Sequence, residues 1–147
     1  MLAFMRQQDP APELGGRLCV LKLIAEALEK AGVEWTLCCS AGLFCFGIVE
    51  KFGDFDILVD EKDFERLKEA LQKVGVEMLP TEQKSTFGSP FYQQARFYYE
   101  GEAIEFDLIA KFWVMTFDTQ YCYDLKKEDI EFVEFDGKKI PALAVEV

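Results

Sequence analysis

The sequence predicts an α/β (α+β) domain, a mixed β-sheet with helices packed on it. Three observations lead there. Apolar residues recur at intervals of three and four in the first half, the mark of amphipathic helices. The second half carries alternating aromatic and β-branched runs split by turn pairs, the mark of hairpins. Half of the 147 residues are hydrophobic and fourteen are Phe, which is enough apolar material for the core of one domain.

Met1 to Gly16 holds Pro10, Pro12, Gly15 and Gly16 with no periodic pattern, and reads as an N-terminal arm. Residues 17–147 form the domain. From Arg17, the positions Leu18, Leu21, Ile24, Ala25 and Leu28 line one side of a helix that Gly32 stops. Val33 to Cys38 is a short strand with Trp35 and Leu37 on one face. Ser40 is placed to cap a brief helix through Phe46, and Gly47 to end it. Phe55 to Val59 reads as the second strand, followed by Asp60 and Asp63 as a capping pair. The helix after it shows the stripe Phe64, Leu67, Leu71 and Val74 and closes at Gly75. Val76 to Leu79 is a third strand ended by Pro80, and Thr81 to Pro90 a polar loop. Phe91–Tyr99 and Ala103–Ala110 form a hairpin around Glu100-Gly101-Glu102, and Glu131–Phe135 with Lys138–Ala142 form another around Asp136-Gly137. Lys111 to Asp124 is aromatic-rich and fits either element type.

Charge and composition narrow the function. A net charge of −11 argues against a broad electrostatic grip on nucleic acid, which needs clustered Lys and Arg. It leaves room for a nucleotide held through metal ions, and for a basic partner. The absence of His removes the commonest general base and every Ser-His or Cys-His triad. The five cysteines lack CxxC spacing and read as buried, reduced thiols. No stretch is long and apolar enough for a transmembrane helix, and no secretory signal is seen, so the expectation is a soluble, cytoplasmic chain with no membrane partner.

The acids are what remain. In a strand, residues two apart share a face, so Asp54 and Asp56 project together while Phe55 and Ile57 turn into the core. Glu105 and Asp107 share a face in the same way, opposite Ile104, Phe106 and Leu108. If these two strands are neighbours, three or four carboxylates converge, which suits a hard divalent cation and the outline of a two-metal site. On spacing alone, solvated acids at a strand end explain the first pair equally well.

The order Cys39-Ser40, Gly47, Asp54-Phe55-Asp56, then Asp107 resembles the minimal nucleotidyltransferases of the DNA polymerase β-like superfamily. Their mark is a Gly-Ser opening a short helix, a later Gly, an Asp-x-Asp strand and a third Asp on a further strand. The resemblance runs from about Arg17 to Ala110. It implies an enzyme moving a nucleoside monophosphate from an NTP to an acceptor with Mg²⁺ or Mn²⁺. Asp54, Asp56 and Asp107 would be the catalytic metal ligands, Asp107 also helping to deprotonate the acceptor. Cys39, Ser40, Gly47 and Lys51 would line the phosphate side, with the helix N-terminus receiving the anion. Small members of the superfamily often work beside a helical partner in toxin–antitoxin pairs, which implies such a partner or self-association here. The chain departs from the pattern at Cys39, which replaces the Gly, and at Glu50, in a loop where many members carry a basic residue. Those departures keep a second expectation open, a catalytically degraded module of the same fold acting through protein–protein contacts. Glu105 and Asp107 both remain candidates for the third acid.

Overall fold

The computed structural model describes residues 16–80, 91–115, 118, 120–135 and 137–144. The expected arm lies outside them except for Gly16, as do the whole polar loop, Thr81 to Pro90, and Asp136 of the second turn pair.

Helix α1 (Arg17–Ala31) buries Val20, Leu21, Ile24, Ala25 and Leu28, the stripe that the spacing predicts. Gly32 ends it at φ +69°, a left-handed conformation that a side chain resists. Strand β1 (Trp35–Cys38) leads directly into the short helix α2 (Cys39–Cys45). Strand β2 (Phe55–Val59) has the predicted bounds and is buried throughout. Asp60 accepts a hydrogen bond from the Lys62 N–H at 3.0 Å and caps a 3₁₀ turn, Glu61–Asp63. Asp63 does not complete the expected reciprocal pair; it is buried and bonded by Arg66 at 2.8 Å. Helix α3 (Phe64–Lys73) follows.

Strand β3 is shorter than expected, only Glu77–Met78, the residues in ladder register with Arg96 and Ala95 of the next strand. Strands β4 (Phe91–Tyr99) and β5 (Glu102–Ala110) make the first predicted hairpin. The ambiguous stretch resolves into β6 (Phe112–Met115) and β7 (Gln120–Tyr123), a separate two-stranded sheet. Strands β8 (Ile130–Phe135) and β9 (Lys138–Leu143) make the second hairpin.

The main sheet has seven strands in the order β3-β4-β5-β2-β1-β9-β8. It is mixed: β2 runs parallel to β5 and β1 parallel to β9, while the remaining pairs are antiparallel. One large core joins α1, α2 and α3 to one face of the sheet, through residues such as Leu21, Leu28, Phe44, Phe55, Leu67 and Phe106. A smaller cluster of Cys38, Leu58, Ile109 and Leu125 covers part of the other face. Burial of this kind is worth roughly 25 cal/mol per Å² of apolar surface, and the large core therefore fixes the positions of the strands that carry the acids. No helix among the described residues is long and apolar enough to cross a membrane.

Candidate active site

The site is built by register. Cys38, the last residue of β1, lies opposite Asp56 in the antiparallel pair β1–β2. Asp56 lies opposite Asp107 in the parallel pair β2–β5, and Asp107 opposite Gln94 in β4. One row of side chains thus crosses four adjacent strands with two carboxylates at its centre. Apolar neighbours in each strand fix that register, because a slip of one residue would turn Phe55, Ile57, Phe106 and Leu108 out of the core. Asp107 is the acid placed beside Asp56. Glu105, two residues back, is exposed and faces Arg96 with its oxygen 3.6 Å from Nε.

The two central carboxyls face each other across one register step, and Asp107 is one of the groups that disfavour a charge on Asp56. Asp56 is only 8 % exposed, too little for water to solvate a second charge. Burial first, then the neighbouring Cys39 and Asp107 and the more distant Asp54, push it up to about 8. Asp54, exposed just before β2, is raised by partial burial and by Asp107, and Arg17 pulls it partly back. The group is a pocket of negative potential assembled from hard oxygen donors. Among the described residues, no three His, Cys, Asp or Glu side chains are already arranged to hold a metal ion. The acids contact one another instead. The donor chemistry suits Mg²⁺ or Mn²⁺, which take carboxylate oxygens, and a cation among them would relieve the repulsion that raises Asp54 and Asp56.

Two supporting residues, Tyr92 and Arg17, escape the sequence reading, and a third, Cys38, enters it only as a buried thiol. Tyr92, on β4, donates its O–H to Asp107 Oδ1 at 2.7 Å and holds that carboxyl in place. Arg17 donates from Nε to the Gly53 carbonyl at 2.7 Å and pairs with Glu102 at 2.7 Å, tying the loop before Asp54 to the start of β5. Cys38 donates its thiol to the Asp56 carbonyl at 3.6 Å. The sequence signals were slight: an aromatic in a β-run, a basic residue at a helix start and a cysteine among apolar neighbours.

On the other flank, Cys39 adopts φ +58°. This left-handed conformation favours glycine, the residue found here in the family that the chain resembles, so the cysteine keeps a glycine-like backbone. It also alters the expected capping. The residue before the helix is Cys38, in extended conformation, and no side chain caps the first turn. Ser40 sits inside that turn, where its hydroxyl is past the position that reaches the free N–H groups. Sharing a hydrogen bond with Cys38 at 3.8 Å lowers the Cys39 thiol to about 7, while Cys38 is raised well above the usual thiol range. Gly47 is buried at φ +76° and closes α2 as a helix stop. Lys51 and Glu50 are exposed in the following loop.

Three solved structures share this architecture. A Thermotoga maritima protein described as a "putative nucleotidyltransferase" is 21 % identical, with a TM-score of 0.63 over 88 % of this chain and 78 % of its own. ANT(2″)-Ia, solved with adenylyl-2″-tobramycin, is 9 % identical, with a TM-score of 0.58 over 87 % of this chain and 69 % of its own. The lincosamide antibiotic adenylyltransferase LnuA, solved with lincomycin, is 15 % identical, with a TM-score of 0.53 over 86 % of this chain and 79 % of its own. The fold is nucleotidyltransferase-like. No protein-family model matches the chain, and no curated protein does either.

Proposed function

We propose that the protein is a nucleotidyltransferase that moves a nucleoside monophosphate from an NTP to an acceptor. The observation that carries this reading is the register Asp56 opposite Asp107 on parallel strands, with Asp54 electrostatically coupled to both. The likeness of fold to two adenylyltransferases supports it.

Asp54, Asp56 and Asp107 would hold Mg²⁺ or Mn²⁺. Such an ion, when bound, supplies positive charge to the triphosphate and to the attacking oxygen. Tyr92 orients Asp107, leaving its second carboxylate oxygen for the ion or for the proton of the acceptor hydroxyl. Arg17 fixes the loop before Asp54, so that this acid enters the site from a defined direction. Cys39, Ser40, Gly47 and Lys51 would form the phosphate side, the first backbone N–H groups of α2 pointing to the anion. A surface contributed by a helical partner or a second copy would complete the acceptor side. A second reading is a catalytically degraded module acting through protein contacts. Glu50 favours it, because an exposed acid in that loop repels a triphosphate.

Calorimetric titration of each NTP, with Mg²⁺ and with chelator, separates the two. The expected result is metal-dependent binding by the parent, abolished in Asp54→Asn/Asp56→Asn while that variant remains folded. A folded parent that binds no NTP supports the second reading, and a double variant that binds like the parent removes these acids from the site.

A further inference from the structure

Beside the acids lie two adjacent thiols, their sulfurs 3.8 Å apart, whose sulfur chemistry nucleotide transfer does not use. Cys39 is exposed and Cys38 is buried at the end of β1. We propose that Cys38 and Cys39 form a reversible redox site, a dithiol that closes to a disulfide when a peroxide reaches Cys39.

The chemistry balances with that oxidant. The Cys39 sulfur attacks one peroxide oxygen, the O–O bond breaks, and a sulfenic acid forms as the first water leaves. The Cys38 sulfur then attacks the sulfenic sulfur, the S–O bond breaks, and a second water leaves as the S–S bond forms. The two thiols lose two electrons and both peroxide oxygens are reduced. Access selects the pair: an oxidant meets Cys39 from solvent, and its resolving partner is already in contact, whereas Cys45 is 1 % exposed within the core.

Geometry makes the bond labile and reversible. A disulfide brings its sulfurs to about 2.05 Å and usually joins Cα atoms at least ~4.4 Å apart. Consecutive residues are held at about 3.8 Å, so this one is strained. Strained disulfides are the easily reduced ones, suited to switching and not to stapling a fold. Closure also draws Cys38 Sγ away from the Asp56 carbonyl, which it contacts at 3.6 Å, and shifts the peptide between β1 and α2. Oxidation is therefore felt at the acid row. The effect on nucleotides rests on the function proposed above; bond formation does not.

The test uses the full chain with Cys19→Ser and Cys122→Ser, which leaves Cys38, Cys39 and Cys45. It is treated with hydrogen peroxide, then denatured, alkylated and analysed by fragmentation mass spectrometry. The expected product is a monomer in which only Cys45 takes the alkylating group, the peptide containing Cys38-Cys39 is lighter by two hydrogens, and dithiothreitol restores it. Free alkylation of all three thiols, a bond to Cys45, or an intermolecular bond overturns the proposal. Titration of Mg-NTP before and after oxidation is the second reading. Loss on oxidation and recovery on reduction support the coupling to the acids. Intact binding by the fully oxidised protein overturns that coupling. A disulfide that forms in a protein binding no NTP at all upholds the redox site and counts against the nucleotidyltransferase.

Discussion

The pair β2–β5 has two faces built on opposite rules. On one, Phe55, Ile57, Ile104, Phe106 and Leu108 are each no more than 1 % exposed. Phe55 stacks on Phe106 with ring centroids 5.1 Å apart, and Phe52 meets Phe55 edge-on at 5.0 Å. On the other, the same backbone presents Asp56 to Asp107 across one register step, with Asp56 buried and Asp107 half-buried. Alternation couples the faces, since the acids cannot separate by a register slip without expelling the phenylalanines. The apolar face stabilises; the acid face stores repulsion that a cation would relieve.

That contrast can be broken from either side. The largest effect is expected on the apolar face. Phe106→Ala should cost about 3–5 kcal/mol in urea unfolding, the range for deleting a buried aromatic ring. A loss under about 1 kcal/mol would show that another part of the core positions the acids.

The acid face should respond with the opposite sign. Burial, with Cys39 and Asp107 beside it, pushes Asp56 up to about 8, against roughly 3.9 in an unfolded chain. Between those values the folded state holds the extra proton, so stability falls as pH rises through that window and levels off above it. Asp56→Asn cannot ionise. It should flatten the slope and exceed the parent at pH 9 by about 1–2 kcal/mol, less than the full linkage because Asp56 is not fully shielded from solvent and titrates together with its neighbours. Thermal unfolding from pH 5 to 9 checks this, and an unchanged slope in the variant would place the titration elsewhere. Saturating Mg²⁺ should flatten the slope of the parent in the same way.

The smallest effect belongs to Tyr92→Phe, which removes the bond to Asp107 and keeps the ring. It should cost about 1 kcal/mol of stability. It should also weaken Mg-NTP binding by less than about tenfold, in the same titration. Parent-like values for both would mean that Asp107 is held without the tyrosine.

What could be read in advance follows the same division. The faces of β2 and β5 were legible because alternation is local: Asp54-Phe55-Asp56 and Glu105-Phe106-Asp107 announce them. The choice between Glu105 and Asp107 was not, because it depends on the parallel register with β2, which no local pattern encodes. Tyr92 and Arg17 were missed for a related reason, since their partners come from other elements: Asp107 from β5, Gly53 from the loop before β2. Ser40 was misjudged as a cap because the left-handed turn at Cys39 starts the helix two residues earlier than side-chain chemistry suggests. The bounds of the C-terminal hairpin were clear from Asp136-Gly137 and its flanking runs, whereas β6 and β7 lacked such a turn pair.

The parallel pairing of β1 with β9, at Leu37 and Ala142, also sets an order of assembly. Both strands that carry the paired acids, β2 and β5, have been synthesised by Ala110, yet β1 keeps a bare edge until the last hairpin emerges from the ribosome. A pairing between such distant segments forms slowly, because loop closure comes before any gain from contact. In a nascent or stalled chain, that edge is open to strands of other molecules. Pairing with β9 is thus what turns that edge of β1 into the interior of the sheet.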